Sequence, residues 1–327
     1  MTDVTADPQR SAELLERIQR QRPIDIAFKY TTLGFACLVL VILGGVIISL
    51  VDGSIPALRK FGFDFLTASR WNAVTDNFGA APAIYGTIVT SVIAMIVGIP
   101  VSFGIAIFLT ELAPDWMKRP IGTAIELLAG IPSIIYGIWG LFVFAPFLQK
   151  HIQPALIALF DGIPGLEKVF AGPPFGIGIF TAGLILGIMV LPFITSVTRD
   201  VFETVPALLK ESAYGLGATT WEVVWQIVLP YTRVGLVGGV MLGLGRALGE
   251  TMAVTFVIGN AHRISPSILA PGTTISASIA NEFNEAVGEI YTSSLVALGL
   301  LLFVITFTIL ALAKLMLIRM QRNAGGR

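Results

Sequence analysis

One cysteine, two histidines and 13% charged residues are all that the 327 positions offer of the side chains most soluble enzymes depend on. Cys37 has no second cysteine for a disulfide, and with His151 and His262 far apart no Cys/His metal site can be assembled. An ordinary soluble domain covers its surface with about a quarter charged residues. With 13% charged, 55% apolar and a mean hydropathy of +0.83, a water-soluble globule is excluded. Charge of one sign is missing too, because 21 Lys+Arg balance 21 Asp+Glu. No bulk field gathers a phosphate backbone, which excludes nucleic acid as a partner. Catalytic signatures are likewise absent: no G-x-x-x-x-G-K-[ST] loop, no H-E-x-x-H and no G-x-S-x-G. Gly243-x-Gly245-x-x-x-Gly249 has the wrong spacing for a dinucleotide fingerprint. The chain is read as no enzyme, and whatever energy drives it comes from elsewhere.

What the sequence has is length without charge. A bilayer core about 30 Å thick needs roughly 20 apolar residues in a helix. Five charge-free runs meet that: 31–51, 82–109, 127–149, 169–198 and 290–313. A sixth, 234–261, has the length and hydrophobicity but contains Arg246 and Glu250. The runs are continuous rather than alternating, and lipid leaves no water for unpaired backbone, so they are expected as helices. The expected fold class is all-α and polytopic with six transmembrane helices. The spans are placed at 31–51 and about 82–109, 121–149, 175–198, 232–261 and 290–315.

Lys and Arg are retained in short cytoplasmic loops. Six spans put both ends on one side, and that side holds fourteen Lys and Arg against six opposite. Both termini are therefore expected in the cytoplasm, with residues 1–30 a polar leading segment, 318–327 a tail and the first apolar run a retained anchor. On the opposite side, residues 52–81 around Phe61, Phe63, Phe65 and Trp71, and residues 150–175 with the apolar piece 152–160, leave two readings open. They are packed interfacial loops or a docking surface for an external partner.

The most explicit local signals lie in the loop 199–230. Pro206 suits the start of a short helix, and Gly215 and Gly217 suit its end. Thr219 with Glu222 three residues on makes a capping box. Trp221, Val224, Trp225 and Val228 follow at one-face spacing, with Leu229-Pro230 expected to close the element. The residues alone are compatible with an interfacial helix resting its aromatics at the headgroups or with a built docking element.

Glu211-Ser212-Ala213, then Gly217, Ile227 and Leu229-Pro230, resembles the E-A-A-x3-G-x9-I-x-L-P loop of ABC importer permeases, with Ser212 where the family usually has Ala. The resemblance covers residues 80–317, a five-span core of the type I, MetI-like kind, and leaves the first span as an extra. It implies that Glu211, Ser212, Ala213, Gly217, Ile227, Leu229 and Pro230 form coupling helices seated on an ATP-binding subunit, with the glycine letting the two helices bend.

Arg246 and Glu250 are four apart, hence expected on one helix face and able to pair. A charge at mid-bilayer costs roughly 2.5–3.5 kcal/mol on the insertion scale. The pair either fixes helix register or lines a pathway, where a guanidinium has the donor geometry for an oxyanion. Gly130, Pro132, Gly137 and Gly140 interrupt the third span. They serve helix packing or open backbone to a cavity, in which Ser133 and Tyr136 would donate hydrogen bonds. Gly235, Gly239 and Gly243 look like a packing stripe.

Residues 245–254, GRALGETMAV, are similar to the corresponding segment of phosphate-importer permeases, and 130–140, GIPSIIYGIWG, resembles the PstC type. That resemblance implies inorganic phosphate as substrate and Arg246, Glu250, Thr251, Ser133 and Tyr136 along its path. It implies a bacterial inner-membrane assembly with a second permease of PstA type, two copies of a PstB-type ATPase and an extracytoplasmic PstS-type binding protein. ATP and Mg would lie on the ATPase, with no cofactor on this chain. Another oxyanion, sulfate or molybdate, and a secondary transporter are the alternatives.

Overall fold

A computed structural model describes the backbone of residues 8–325 and the side chains of residues 23–319. Two units are distinguished, residues 1–53 and residues 54–327. Helix α1 (Pro8–Phe61) is one continuous helix, far longer than the 31–51 expected from charge spacing. Within the first unit its apolar side chains stand open, Leu33 at 54%, Phe35 at 65% and Leu40 at 67% exposed. Such a surface is stable only against lipid or protein.

The second unit continues with α2 (Asp64–Thr67), a small antiparallel hairpin of β1 (Trp71–Asn72) and β2 (Asn77–Phe78), and α3 (Ala81–Leu112). Then come α4 (Asp115–Ala129), α5 (Ser133–Phe160), α6 (Leu166–Val169), α7 (Ile179–Glu203), α8 (Ala207–Gly215) and α9 (Thr220–Leu248). The short helices α10 (Met252–Val257) and α11 (Ile275–Glu282) precede the long α12 (Glu289–Gly325). Among the described residues, six helices are long and apolar enough to cross a membrane, matching the expected six.

The limits of the third and fifth spans differ from the sequence expectation at both ends. The third spanning helix starts at Ser133, not near 121. Residues 115–129 form the separate α4, because Pro132 drives the residue before it out of helical geometry and ends the run at Gly130. From Ser133 the helix passes the charges at 150–151 and takes in 152–160, expected as a loop. Leu229-Pro230 does not close an element either: α9 runs from Thr220 through Pro230, widened into a π-turn at Val224–Val228 just before the ring that lacks an N–H. Finally, α9 stops at Leu248, so 249–261 is no continuation of the fifth span.

The centre of the unit is the packing of α3 and α9 on α7, and small residues permit it. A β-carbon at Gly183 would sit 2.7 Å from Cβ of Ile93, which brings α7 and α3 close to backbone contact. Gly235, Gly239 and Gly243 do form a packing stripe: β-carbons there would meet Val201 at 2.6 Å, Val197 at 3.1 Å and Ile194 at 2.6 Å. The Ser102 hydroxyl donates to the Leu191 carbonyl at 3.3 Å, a polar tie between α3 and α7. A second apolar cluster joins Ala57, Phe65, Phe78, Ile275, Leu295 and Leu298. Phe65 is fully buried and Trp71 packs against this cluster, whereas Phe63 is 88% and Val74 94% exposed, so residues 54–81 are packed in part and open in part.

Candidate functional site

The 205–230 segment builds its geometry from local rules. Pro206 precedes α8, and Gly217, at φ +90°, turns the chain as a residue without a β-carbon does readily. The capping box exists: Glu222 N–H donates to Thr219 Oγ1 at 3.4 Å, and Thr219 N–H donates to Glu222 Oε2 at 2.8 Å. The family motif divides by side-chain direction. Ala213, Ile227 and Leu229 pack against the buried cluster of Ala106, Phe202, Val205, Val223, Val228 and Leu236, while Glu211, Ser212, Gly217 and Pro230 are exposed. Around them Leu208 is 73%, Leu216 91% and Trp221 68% exposed, and Trp221 stacks on Trp225 with centroids 5.4 Å apart. An apolar patch of this kind beside a charged carboxylate fits a protein partner.

Arg246 lies in the last turn of α9 and Glu250 just beyond its end, so they do not share one continuous helix face as expected. They still face each other, with Nη2 3.7 Å from Oε2. The chain breaks at Gly249 and restarts as α10, whose first turn Glu250 serves by accepting the Ala253 N–H at 3.5 Å. Glu250 has 6% of its side chain exposed and Arg246 41%. The guanidinium lies over the Phe193 ring at 4.9 Å to the centroid, an arrangement that orients the cation while leaving its other face open. Thr251 turns its hydroxyl to the Gly249 carbonyl at 3.4 Å.

Ser133 and Tyr136 lie in the first turns of α5, beyond the break at 130–132. The Tyr136 hydroxyl donates to the Leu128 carbonyl at 3.1 Å and so bridges that break, which engages the proton expected to serve a ligand. Gly137 and Gly140 do not interrupt the helix: β-carbons there would meet Phe256 at 2.8 Å and Ile185 at 2.3 Å, so both are packing positions. Gly137 also rests on Met252 and Ala253, which brings the start of α5 against α10. Neither Ser133 nor Tyr136 bonds to Arg246 or Glu250 among the described residues.

Sequence reasoning missed a polar cluster at 71, 262, 282 and 291. Glu282 accepts the Trp71 indole N–H and the Tyr291 hydroxyl on Oε2, each at 2.6 Å, and Oε1 lies 2.6 Å from His262 Nε2. His262 stacks on Trp71, with centroids 4.9 Å apart and the planes 6° from parallel. Burial pushes the Glu282 carboxyl up, but the hydrogen bonds from His262, Tyr291 and Trp71 outweigh it and hold the group below its ordinary value. No periodicity links these positions, so no sequence signal pointed to them. Among the described residues no group of His, Cys, Asp and Glu is placed to hold a metal ion.

A bundle of apolar helices with a semi-exposed guanidinium in the last turn of one spanning helix and an exposed paired-helix knuckle at the other end of that helix fits a membrane transport component. The model of the binding-protein-dependent transport system inner membrane component family matches residues 98–322, and the chain belongs to that family. It is 66% identical to the phosphate transport system permease protein PstC of Mesorhizobium japonicum, over 94% of each chain. To the protein of the same name from Haemophilus influenzae it is 59% identical, over 92% of this chain and 96% of that one. Among solved structures, a bacterial alginate ABC transporter in complex with a pentasaccharide-bound periplasmic protein superposes with a TM-score of 0.59 at 20% identity, covering 94% of this chain and 98% of its own. That likeness concerns the fold.

Proposed function

We propose that this chain is the PstC-type permease of an ATP-driven importer of inorganic phosphate and forms half of its transmembrane pathway. The observation that carries the reading is the 66% identity, over 94% of both chains, to a phosphate transport permease. Phosphate chemistry agrees with a guanidinium stacked on Phe193 with an open face, a fork suited to a tetrahedral oxyanion. Arg246 binds the anion, buried Glu250 sets its orientation, and Thr251, Ser133 and Tyr136 line the path from two interrupted segments.

Both termini lie in the cytoplasm of a bacterial cell, consistent with the excess of Lys and Arg in the segments on that side. The knuckle at Glu211, Ser212, Ala213, Gly217, Ile227, Leu229 and Pro230 seats on one of two PstB-type ATPase copies, which hold the ATP and Mg. A PstA-type permease completes the pathway, and a PstS-type protein delivers phosphate from outside. Closure of the ATPase pair pushes the knuckle, and the core helices rock so that Arg246 faces each side in turn. Phosphate binds the two states differently, as any switching mechanism requires. Proteoliposomes containing the four components test this. Labelled phosphate should accumulate only with ATP on the knuckle side, and sulfate or molybdate should not compete. Uptake without ATP would overturn the reading.

A further inference from the structure

Lys210 precedes the Glu211-Ser212-Ala213 triplet, and its Nζ donates to Glu111 Oε1 at 2.5 Å. Only 5% of the Glu111 side chain and 19% of the Lys210 side chain are exposed. Neither has another hydrogen-bonding or ionic partner among the described residues. Glu111 belongs to the π-turn Phe108–Leu112 that ends α3. Within α8 only Lys210 and Ala213 are not exposed, Ala213 packed against the apolar cluster and Lys210 held in this pair. One methyl in an apolar cluster can slide, because that attraction has no direction. A buried ion pair resists separation, since each charge parted from the other would be left without compensation.

The far end of this connection reaches the pathway through packed elements. Ile93 of α3 abuts Gly183 of α7, and α7 carries Phe193 beneath Arg246. We propose that the Lys210–Glu111 pair is a positioning link that passes displacement of the ATPase-facing helix α8 to α3, and through it to the Arg246 site. The inference rests on the functional reading above and names a part of its machinery. Glu111 and Lys210 act through the helices they tie and touch no phosphate.

The assembled importer in proteoliposomes tests it, with phosphate uptake and ATP hydrolysis measured together. Lys210→Met, Glu111→Gln and the two combined should each lower phosphate moved per ATP at least about ten-fold, a coupling loss of ordinary allosteric size. The exchange Glu111→Lys with Lys210→Glu should restore the ratio to within about three-fold. The combined neutral variant leaves no buried charge unpaired, so it decides the matter where the single variants fail to insert. A native ratio in that variant, or an exchange as uncoupled as the single changes, overturns the link.

A substrate-independent readout separates this inference from the functional reading. Spin labels at the exposed Leu208 and Leu112 report whether the start of α8 and the end of α3 move together when ATP binds. Their separation should stay constant to within about 2 Å in the native chain and change in the neutral variant. Equal behaviour in the two refutes the link. An unsubstituted assembly with a constant separation that moves no phosphate refutes the functional reading instead.

Discussion

The Trp71 indole donates its N–H to Oε2 of Glu282 at 2.6 Å, across 211 positions of sequence. That bond ties the β1–β2 hairpin to the end of α11, and Tyr291 at the start of α12 shares the same oxygen. Replacing Glu282 by Gln keeps the shape but removes the charge that three donors converge on. A loss of about 1–3 kcal/mol is expected, the scale of a charged hydrogen bond left badly made. A lower thermal midpoint in detergent, with a shifted Trp71 emission, is the measurement.

The same carboxylate makes stability depend on pH. Its folded value is depressed, so its contribution is complete above the unfolded value of about 4.3 and is lost as the pH falls through the folded value. Melting of the native chain should therefore show an acid-side loss below about pH 4. Glu282→Gln should remove that acid-side component.

Arg246 predicts a dissociation of stability from transport. Arg246→Lys keeps charge but loses the planar fork over Phe193, and uptake should fall roughly ten-fold or more. Arg246→Ala should abolish uptake and leave Glu250, 6% exposed, without its cation. Adding Glu250→Gln should restore the thermal midpoint but not phosphate uptake. Normal uptake by the Arg246→Ala protein removes Arg246 from the pathway.

At Gly217 the backbone angle decides. Alanine at φ +90° costs about 1–2 kcal/mol and should weaken coupling only in part. Proline, locked near −65°, cannot adopt that turn, so Gly217→Pro should insert normally and transport nothing. Uptake unchanged by Gly217→Pro, measured beside the amount of inserted protein, contradicts the coupling role.

Trp221 and Trp225 stack in the open, 68% and 59% exposed. Alanine at both should change stability by no more than about 0.5 kcal/mol, because little is buried there. Retention of the ATPase subunit during purification should nevertheless drop sharply. Unchanged co-elution would place the ATPase contact elsewhere on the knuckle.

The membrane class, six spanning segments and the position of the knuckle were all readable in the chain alone. Lipid supplies no hydrogen bonds, so the length of a charge-free run is a sufficient local criterion for a spanning helix. Capping and glycine turns are equally local, which is why Thr219, Glu222 and Gly217 stand as their residue types require. Helix ends were less readable. The last residues of α4 and the break at 130–132 merge into one charge-free run, 127–149, when only the spacing of charges is considered, and the helix continues through Pro230 although proline usually breaks one.

Only the tertiary structure decided what the polar side chains do inside the bundle. Phe193 lies under Arg246, Tyr136 spends its proton on Leu128, and Glu282 collects donors from three separate segments. Lys210 finds Glu111 across 99 positions. Helical periodicity relates residues three or four apart, whereas these partners come from different segments; Phe193 and Arg246, for one, lie on α7 and α9, whose close approach is set by glycine contacts, a property of pairs of helices that no single segment contains.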